Sequence, residues 1–302
     1  MDKFTRVCFG ALAGGIAVVL AGMSGEIAAQ DCRDPNPLVF SIIPTEETTQ
    51  EVALYDPVVK YLSERTGRPV EFYMPTAYAS VIEAMLGGWV HVGVHGPASY
   101  VIATEREPGS VEVFATYAKR SGYLQEEGPG YRAVLISRAD SGIDSIEAAK
   151  GKILALVDPA STSGNLLPEV EFSKEIGMPL GEYFDRVVYS GGHDLSTMAV
   201  HEGQADVAFV ATHRFDNVVE RDMVKLEDFN VLWESRLVPQ DPFTYAADLC
   251  SELKEQIRQT FLTLHEREEA RGFLENVLSN RFVEMSDEDY DIIRDLRAAR
   301  PD

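Results

Sequence analysis

Short apolar runs alternate along this chain with stretches whose apolar residues recur three and four apart. Leu38 to Ile43, Val70 to Met74 and Val90 to Val94 read as buried strands. Between the first two, Thr49 to Arg65 sets Val52, Tyr55, Val58, Val59 and Leu62 on one face of a helix, which Gly67-Arg68-Pro69 stops. Pro57 inside that span predicts a kink or a later start. Tyr78 to Met85 and Ala98 to Glu107 read as helices, so strand and helix alternate and predict a parallel sheet with helices on its faces. Val111 to Tyr117 and Tyr131 to Ser137 are further strands, expected to carry the chain out of a first lobe. After a short amphipathic helix at Ile143 to Lys150, a second alternating series runs through Ile153 to Val157, Val187 to Ser190 and Asp206 to Val210. Asn230 to Glu234 and Phe243 to Ala246 are expected to return to the first lobe, and everything from Ser251 onward to be helical and charged. The pattern predicts an α/β protein with two lobes.

One stretch stands out in it: Asp158-Pro159-Ala160-Ser161-Thr162-Ser163-Gly164. It lies where a strand hands over to a helix expected from Asn165 to Ile176, with Pro168 in or near the first turn, where a missing N–H costs least. Free backbone N–H groups and the positive end of the helix dipole meet there. Three consecutive hydroxyls add neutral donors, so the stretch predicts an oxyanion cradle; a simple Ser161 cap is the plainer alternative. Thr45, Tyr78, His95, His193 and His213 also fall at C-terminal ends of strands, the edge at which open α/β sheets bind ligands. Two such edges facing each other would make a cleft.

Composition narrows the class. The 302 residues can bury a substantial core, and 45% hydrophobic with 25% charged residues is ordinary for a globular protein. A net charge of −22 argues against nucleic acid and anionic membrane surfaces as partners, and makes any bound anion depend on local donors. Lys3 and Arg6, the apolar run Cys8 to Met23 and the small residues to Ala29 read as a signal peptide, residues 1–29, giving a soluble periplasmic product. Cleavage leaves Cys32 and Cys250, either one disulfide or two free thiols.

Seven segments together are similar to one family. Ile43-Pro44-Thr45-Glu46, Tyr78-Ala79-Ser80-Val81-Ile82-Glu83-Ala84-Met85, Gly96-Pro97-Ala98-Ser99-Tyr100, Pro129-Gly130-Tyr131, the Ser161-Thr162-Ser163 stretch, Gly192-His193-Asp194 and Pro239-Gln240-Asp241-Pro242 occur in the family's order. The chain resembles the PhnD-type phosphonate and phosphite binding proteins of ABC transporters, a family of type II periplasmic binding proteins. The resemblance implies a hinged fold with ligand between the lobes, here 30–131 plus 237–302 as lobe 1 and 132–236 as lobe 2. It implies that Ser161, Thr162 and Ser163 grip phosphorus-bound oxygens, that Tyr78 and Tyr131 donate phenolic O–H bonds, and that His193 adds a polar contact. Asp241 would accept a bond from a protonated oxygen or an amine, with His213 and His95 as further candidates. Members that take aminoalkyl phosphonates carry an acid in the turn that here reads Thr212-His213-Arg214, so the resemblance leans toward phosphite, methylphosphonate or phosphate. The implied partner is an ABC permease, with a membrane sensor kinase as the alternative, and the implied state is a monomer without cofactor.

A serine hydrolase is the competing class. No Gly-x-Ser-x-Gly elbow occurs, and His193 and Asp194 are sequence neighbours, an awkward arrangement for a base and its orienting carboxylate. A metal pair at His91 and His95 is disfavoured because i, i+4 along a strand separates side chains by roughly 13 Å.

Overall fold

The computed structural model describes residues 32–44 and 48–300, so the expected signal peptide and Thr45 lie outside the described residues. The first sheet is built from β1 (Leu38–Ile42), β2 (Val70–Tyr73), β3 (Val92–Val94), β4 (Val111–Lys119), β12 (Phe243–Ala246) and β13 (Ser279–Glu284), in the order β13-β4-β12-β3-β1-β2. Helices α1 (Thr48–Thr66), α2 (Tyr78–Leu86) and α3 (Pro97–Arg106) link its first strands. The second sheet holds β6 (Ala133–Arg138), β7 (Ile153–Leu156), β8 (Arg186–Tyr189), β9 (Val207–Ala211) and β10 (Phe229–Glu234), in the order β10-β6-β9-β7-β8. Around it lie α4 (Ser173–Ile176), α5 (Leu180–Tyr183), α6 (His193–His201) and α7 (Thr212–Glu220). A ribbon of β5 (Gly130–Tyr131) and β11 (Val238–Pro239) runs antiparallel where the chain passes between the sheets in each direction. Helices α8 (Ser251–Leu262), α9 (Arg271–Asn276) and α10 (Asp291–Ala298) complete the chain. The fold is α/β with two lobes, as the alternating pattern predicts.

The parallel expectation holds only for part of each sheet. β1 pairs parallel with β2 and β3, and β7 with β8 and β9, whereas β4, β12 and β13 of the first sheet, and β6 and β10 of the second, run antiparallel to their neighbours. Strands that leave a lobe or return to it need no crossover helix, which frees them to pair antiparallel. Tyr131 to Ser137 is two strands, β5 and β6, and Asn230 to Glu234 closes the second sheet by pairing with β6 instead of returning to the first. Pro57 does not end α1, which runs 19 residues through it. Ile143 to Lys150 makes only a short turn at Glu147–Ala149. The stretch after Ser251 is not all helix: Ser279 and Phe282 are buried, and β13 is laid along β4.

Cys32 and Cys250 form a disulfide. Beside it, Arg33 N–H donates to Asp248 O at 2.7 Å and Cys250 N–H donates to Arg33 O at 3.0 Å, tying the start of the described chain to the entrance of α8. The bridge spans 218 residues of sequence. Replacing both cysteines by serine is expected to lower unfolding free energy by about 2–5 kcal/mol, chiefly through the freed unfolded chain. Urea unfolding with and without reductant checks this; an unchanged midpoint would refute it.

Candidate functional site

The cradle is shaped by a backbone fold that only its own sequence allows. Val157 N–H donates to Gly164 O at 3.0 Å, and Gly164 N–H donates to Ser161 Oγ at 3.1 Å, so the loop folds back onto the end of β7. A Cβ on Gly164 would sit 2.3 Å from Val157 Cγ2, which makes glycine obligatory. The helix begins at Thr162, three residues earlier than expected, with two wide π turns, Thr162–Leu166 and Pro168–Phe172, before α4. Pro168 opens the second of these turns, where it has no N–H to give. Asn165 Nδ2 donates to Pro159 O at 3.1 Å and the Tyr189 hydroxyl donates to Asn165 Oδ1 at 2.8 Å, bracing the turn from behind.

Ser161, Thr162 and Ser163 line a small cavity with Tyr78, Tyr131, His193, His213 and Asp241, together with Ile43, Gly96, Ala211 and Arg214. The cavity leaves about 10 Å³ to the centre of a water-sized sphere, room for roughly one water molecule. The lobes are shut on one another: Ala98 N–H, at the start of α3, donates to Thr162 Oγ1 at 2.8 Å. Burial pushes the phenols of Tyr78 and Tyr131 upward from their ordinary value, with the Asp241 carboxylate next in effect, so both keep their O–H as donors.

The two histidines of the cavity are neutral donors. His193 opens α6, and its Nδ1 accepts Ala211 N–H at 3.2 Å, which assigns the ring proton to Nε2. Burial, helped by Arg214, holds its pKa down to about 3. His213 pairs through Nδ1 with Gln240 Nε2 at 3.3 Å, packs its ring edgewise on Tyr131 with centroids 4.9 Å apart, and leaves Nε2 buried without a hydrogen-bond partner. Burial first, then Lys119 and Arg214, hold it well below the ordinary imidazole value.

Asp241 is the one carboxylate among the described residues lining the cavity. Its main chain is held from two sides, Thr116 Oγ1 donating to Asp241 O at 2.7 Å and Asp241 N–H donating to Gln240 Oε1 at 3.1 Å, and Tyr290 holds the preceding Gln240 O at 2.9 Å. Arg214 Nη2 donates to its Oδ2 at 2.9 Å, both side chains being largely out of water. Burial pushes the carboxyl up from its ordinary value, against the pull of Arg214 and Lys119. Arg214 was not singled out from the sequence; the signal was present, since it is the third residue of the same turn as His213 at the end of β9. The site thus contains a guanidinium where the sequence led us to expect only neutral and dipolar donors.

His95 stands apart from the other candidates. Its neighbour Gly96 lines the cavity, while its own ring is buried behind, with Nε2 at 3.1 Å from Met85 Sδ. Burial holds its pKa to about 3. His91 Nδ1 accepts Val39 N–H at 2.9 Å, so the two histidines serve different strand positions.

Beside the cavity, Asp216 of α7 accepts the N–H groups of Leu124 and Gln125 at 2.9–3.2 Å, pinning the loop ahead of β5 to the second lobe. Gly122 is required there, because a Cβ would meet Asp216 Oδ2 at 2.0 Å. Gln125 extends the clamp, donating to Gly130 O at 2.7 Å and accepting from Thr212 Oγ1 at 2.7 Å.

Two sheets joined by paired crossings, with a hydroxyl-lined turn at the cleft edge, define a type II periplasmic binding protein. The chain belongs to the family described as ABC transporter, phosphonate, periplasmic substrate-binding protein, whose model matches residues 40–290. It is a periplasmic substrate-binding component of the ABC phosphonate transporter class, and the homologues are transport proteins, not enzymes. It is 30% identical over 244 residues to the phosphonates-binding periplasmic protein of Escherichia coli, covering 80% of this chain and 70% of that one. It is 29% identical over 262 residues to the phosphate-import protein PhnD of Mycolicibacterium smegmatis, covering 82% and 78%. A solved binding component of an ABC phosphonate transporter from Pseudomonas aeruginosa superposes with a TM-score of 0.79 at 28% identity, covering 87% and 86%.

Proposed function

We propose that the chain captures a small phosphorus oxyanion (phosphite, methylphosphonate or phosphate) between its lobes and delivers it to the membrane permease of an ABC transporter. The observation that carries this reading is the convergence on one small cavity of the Ser161, Thr162 and Ser163 hydroxyls, the Tyr78 and Tyr131 phenols and the two buried histidine rings. Such donors replace the hydration shell of an anion, and Arg214 adds the charge. In this reading the ligand oxygens sit on the cradle, and Nε2 of His193 and of His213 supplies further N–H donors. The E. coli and M. smegmatis relatives carry names that refer to phosphonates and to phosphate, which supports the same ligand chemistry. Residues 30–131 with 237–302, and 132–236, serve as the two bodies that part to admit ligand, with the β5–β11 ribbon at the crossings between them.

The test is a thermal-shift panel of phosphite, methylphosphonate, phosphate, 2-aminoethylphosphonate and sulfate. A ligand at a hundred times its dissociation constant should stabilise the protein by about 2.7 kcal/mol. A clear shift with a phosphorus oxyanion, absent in Ser161→Ala, is the expected result. No shift with any of them would refute the reading.

A further inference from the structure

Donors outnumber acceptors in this site, and the imbalance says what the ligand must carry. Around the cavity stand the hydroxyls of Ser161, Thr162 and Ser163, two phenols, the imidazoles of His193 and His213, and the Arg214 guanidinium. Each hydroxyl or phenol can turn to donate, each of those imidazoles has its proton on Nε2, and a guanidinium has no acceptor at all. The Asp241 carboxylate is the one group among the described lining residues that can only accept. It cannot turn away: its main chain is fixed by Thr116 and Gln240, and its Oδ2 is held at 2.9 Å by Arg214. The His213 Nε2, 3.9 Å from the same Oδ2, is a buried donor with no partner, so a donor waits unused beside the fixed acceptor.

We propose that Arg214 is a specificity-determining residue of this site. Through its ion pair it keeps Asp241 in place as the acceptor of one ligand proton, so that the site takes a compact oxyanion bearing a P–OH group. It thereby turns away both a fully ionised oxyanion and a ligand with an ammonium tail. This inference rests on the proposed oxyanion reading of the cavity.

The discrimination follows from each ligand's own chemistry. Hydrogen phosphate presents three bare oxygens to the donors and one O–H to Asp241. Sulfate has the same shape, yet it sets a bare oxygen against the carboxylate. A site that binds a ligand O–H with a buried group rejects the analogue lacking it by about 10⁴–10⁵-fold. An ammonium tail could satisfy Asp241, but it would lie beside the Arg214 guanidinium. The buried Lys119, whose field also reaches Asp241, adds to that repulsion.

Isothermal titration of the purified protein with phosphate, sulfate and 2-aminoethylphosphonate tests this. The wild type is expected to prefer phosphate over either competitor by at least about 10³-fold. Asp241→Asn, whose amide can donate to a bare oxygen, should reduce the phosphate-to-sulfate ratio at least tenfold. Arg214→Gln should reduce the phosphate-to-aminoethylphosphonate ratio at least tenfold. The double variant Arg214→Gln/Asp241→Asn, which replaces the ion pair by two amides, guards against loss of fold from one unpaired charge and should lose both preferences. Wild-type binding of sulfate or aminoethylphosphonate as tight as that of phosphate would overturn the inference, as would variants that keep the wild-type ratios. Ser161→Ala separates the two readings. If it weakens phosphate while the ratios ignore positions 214 and 241, only this inference fails. If the wild type binds none of the three, this inference fails, and the oxyanion reading fails with it when phosphite and methylphosphonate give no thermal shift either.

Discussion

Acidifying the ligand-free protein from pH 7 to pH 5 is expected to remove several kcal/mol of its stability. Four histidines are buried in the neutral form: His91 with its pKa held to about 4, His95 and His193 to about 3, and His213 well below the ordinary value. Burial is the first cause in each case. In the unfolded chain these rings titrate near 6.5. Their folded values are depressed, so the unfolded state takes up protons first as the pH falls. The stability these rings contribute is therefore complete above about pH 6.5 and is lost as the pH falls from there toward the folded values. At about 1.4 kcal/mol per unit, His95 and His193 each cost on the order of 2 kcal/mol at pH 5; His213 acts in the same direction, and the less deeply held His91 acts with them more weakly. Three carboxyls oppose this. Burial raises Asp216 to about 6, and raises Asp241 and Glu169 in the same direction. A raised carboxyl is better protonated in the folded state, so it returns stability as the pH falls; Asp216 returns about 1 kcal/mol at pH 5. The rings outweigh the carboxyls. Urea unfolding at pH 7, 6 and 5 should show a falling midpoint; a flat or rising one would mean that the buried rings are protonated in the fold.

Those same rings show where sequence reasoning succeeded and where it stopped. The cradle was legible because a strand, three hydroxyls and a glycine in that order leave the backbone few alternatives, and Gly164 against Val157 shows why. Tyr78, His193 and His213 were legible through their place at strand ends, Tyr131 and Asp241 only through the family resemblance, and the structure brings all five to the same cavity. His95 has the same sequence position relative to β3, but its side chain points behind the strand toward Met85. Which face a residue takes at a strand end depends on a one-residue register that periodicity does not fix. Arg214 was overlooked for a different reason. A net charge of −22 suggests that positive groups are dispersed over the surface, whereas this one is folded inward because Asp241, 27 residues later, supplies its counter-charge. Such long-range pairing leaves no local signal. β13 was missed similarly: Ser279 to Glu284 lies in a charged stretch, and it becomes a strand because β4 offers an open edge to pair with.

Removing the hydroxyls of the cradle is expected to separate binding from closure. Thr162 reaches across the lobes, its Oγ1 accepting Ala98 N–H at 2.8 Å from the opposite lobe, whereas Ser161 Oγ accepts Gly164 N–H within its own turn. The double variant Ser161→Ala/Ser163→Ala should lose two hydrogen bonds to a charged ligand, about 1.5–3 kcal/mol each, and so weaken binding by about 10²–10⁴-fold. Its ligand-free closed form should be little changed, because the cross-lobe bond survives, although Gly164 N–H loses its Ser161 acceptor. Thr162→Val keeps the side-chain shape, removes a ligand donor and strands the Ala98 N–H, a buried donor whose loss of a partner costs about 1–3 kcal/mol. That penalty falls on the closed form alone, since water can satisfy the Ala98 N–H once the lobes part. Thr162→Val should therefore speed ligand dissociation beyond what one lost hydrogen bond explains, whereas the double serine variant should weaken binding without further loosening the lobes. Stopped-flow displacement gives the dissociation rates, and small-angle scattering of the ligand-free variants reports how far the lobes stand apart. Equal compactness of Thr162→Val and wild type would refute the closure role, because the one contact removed across the cleft would then carry no weight in shutting it.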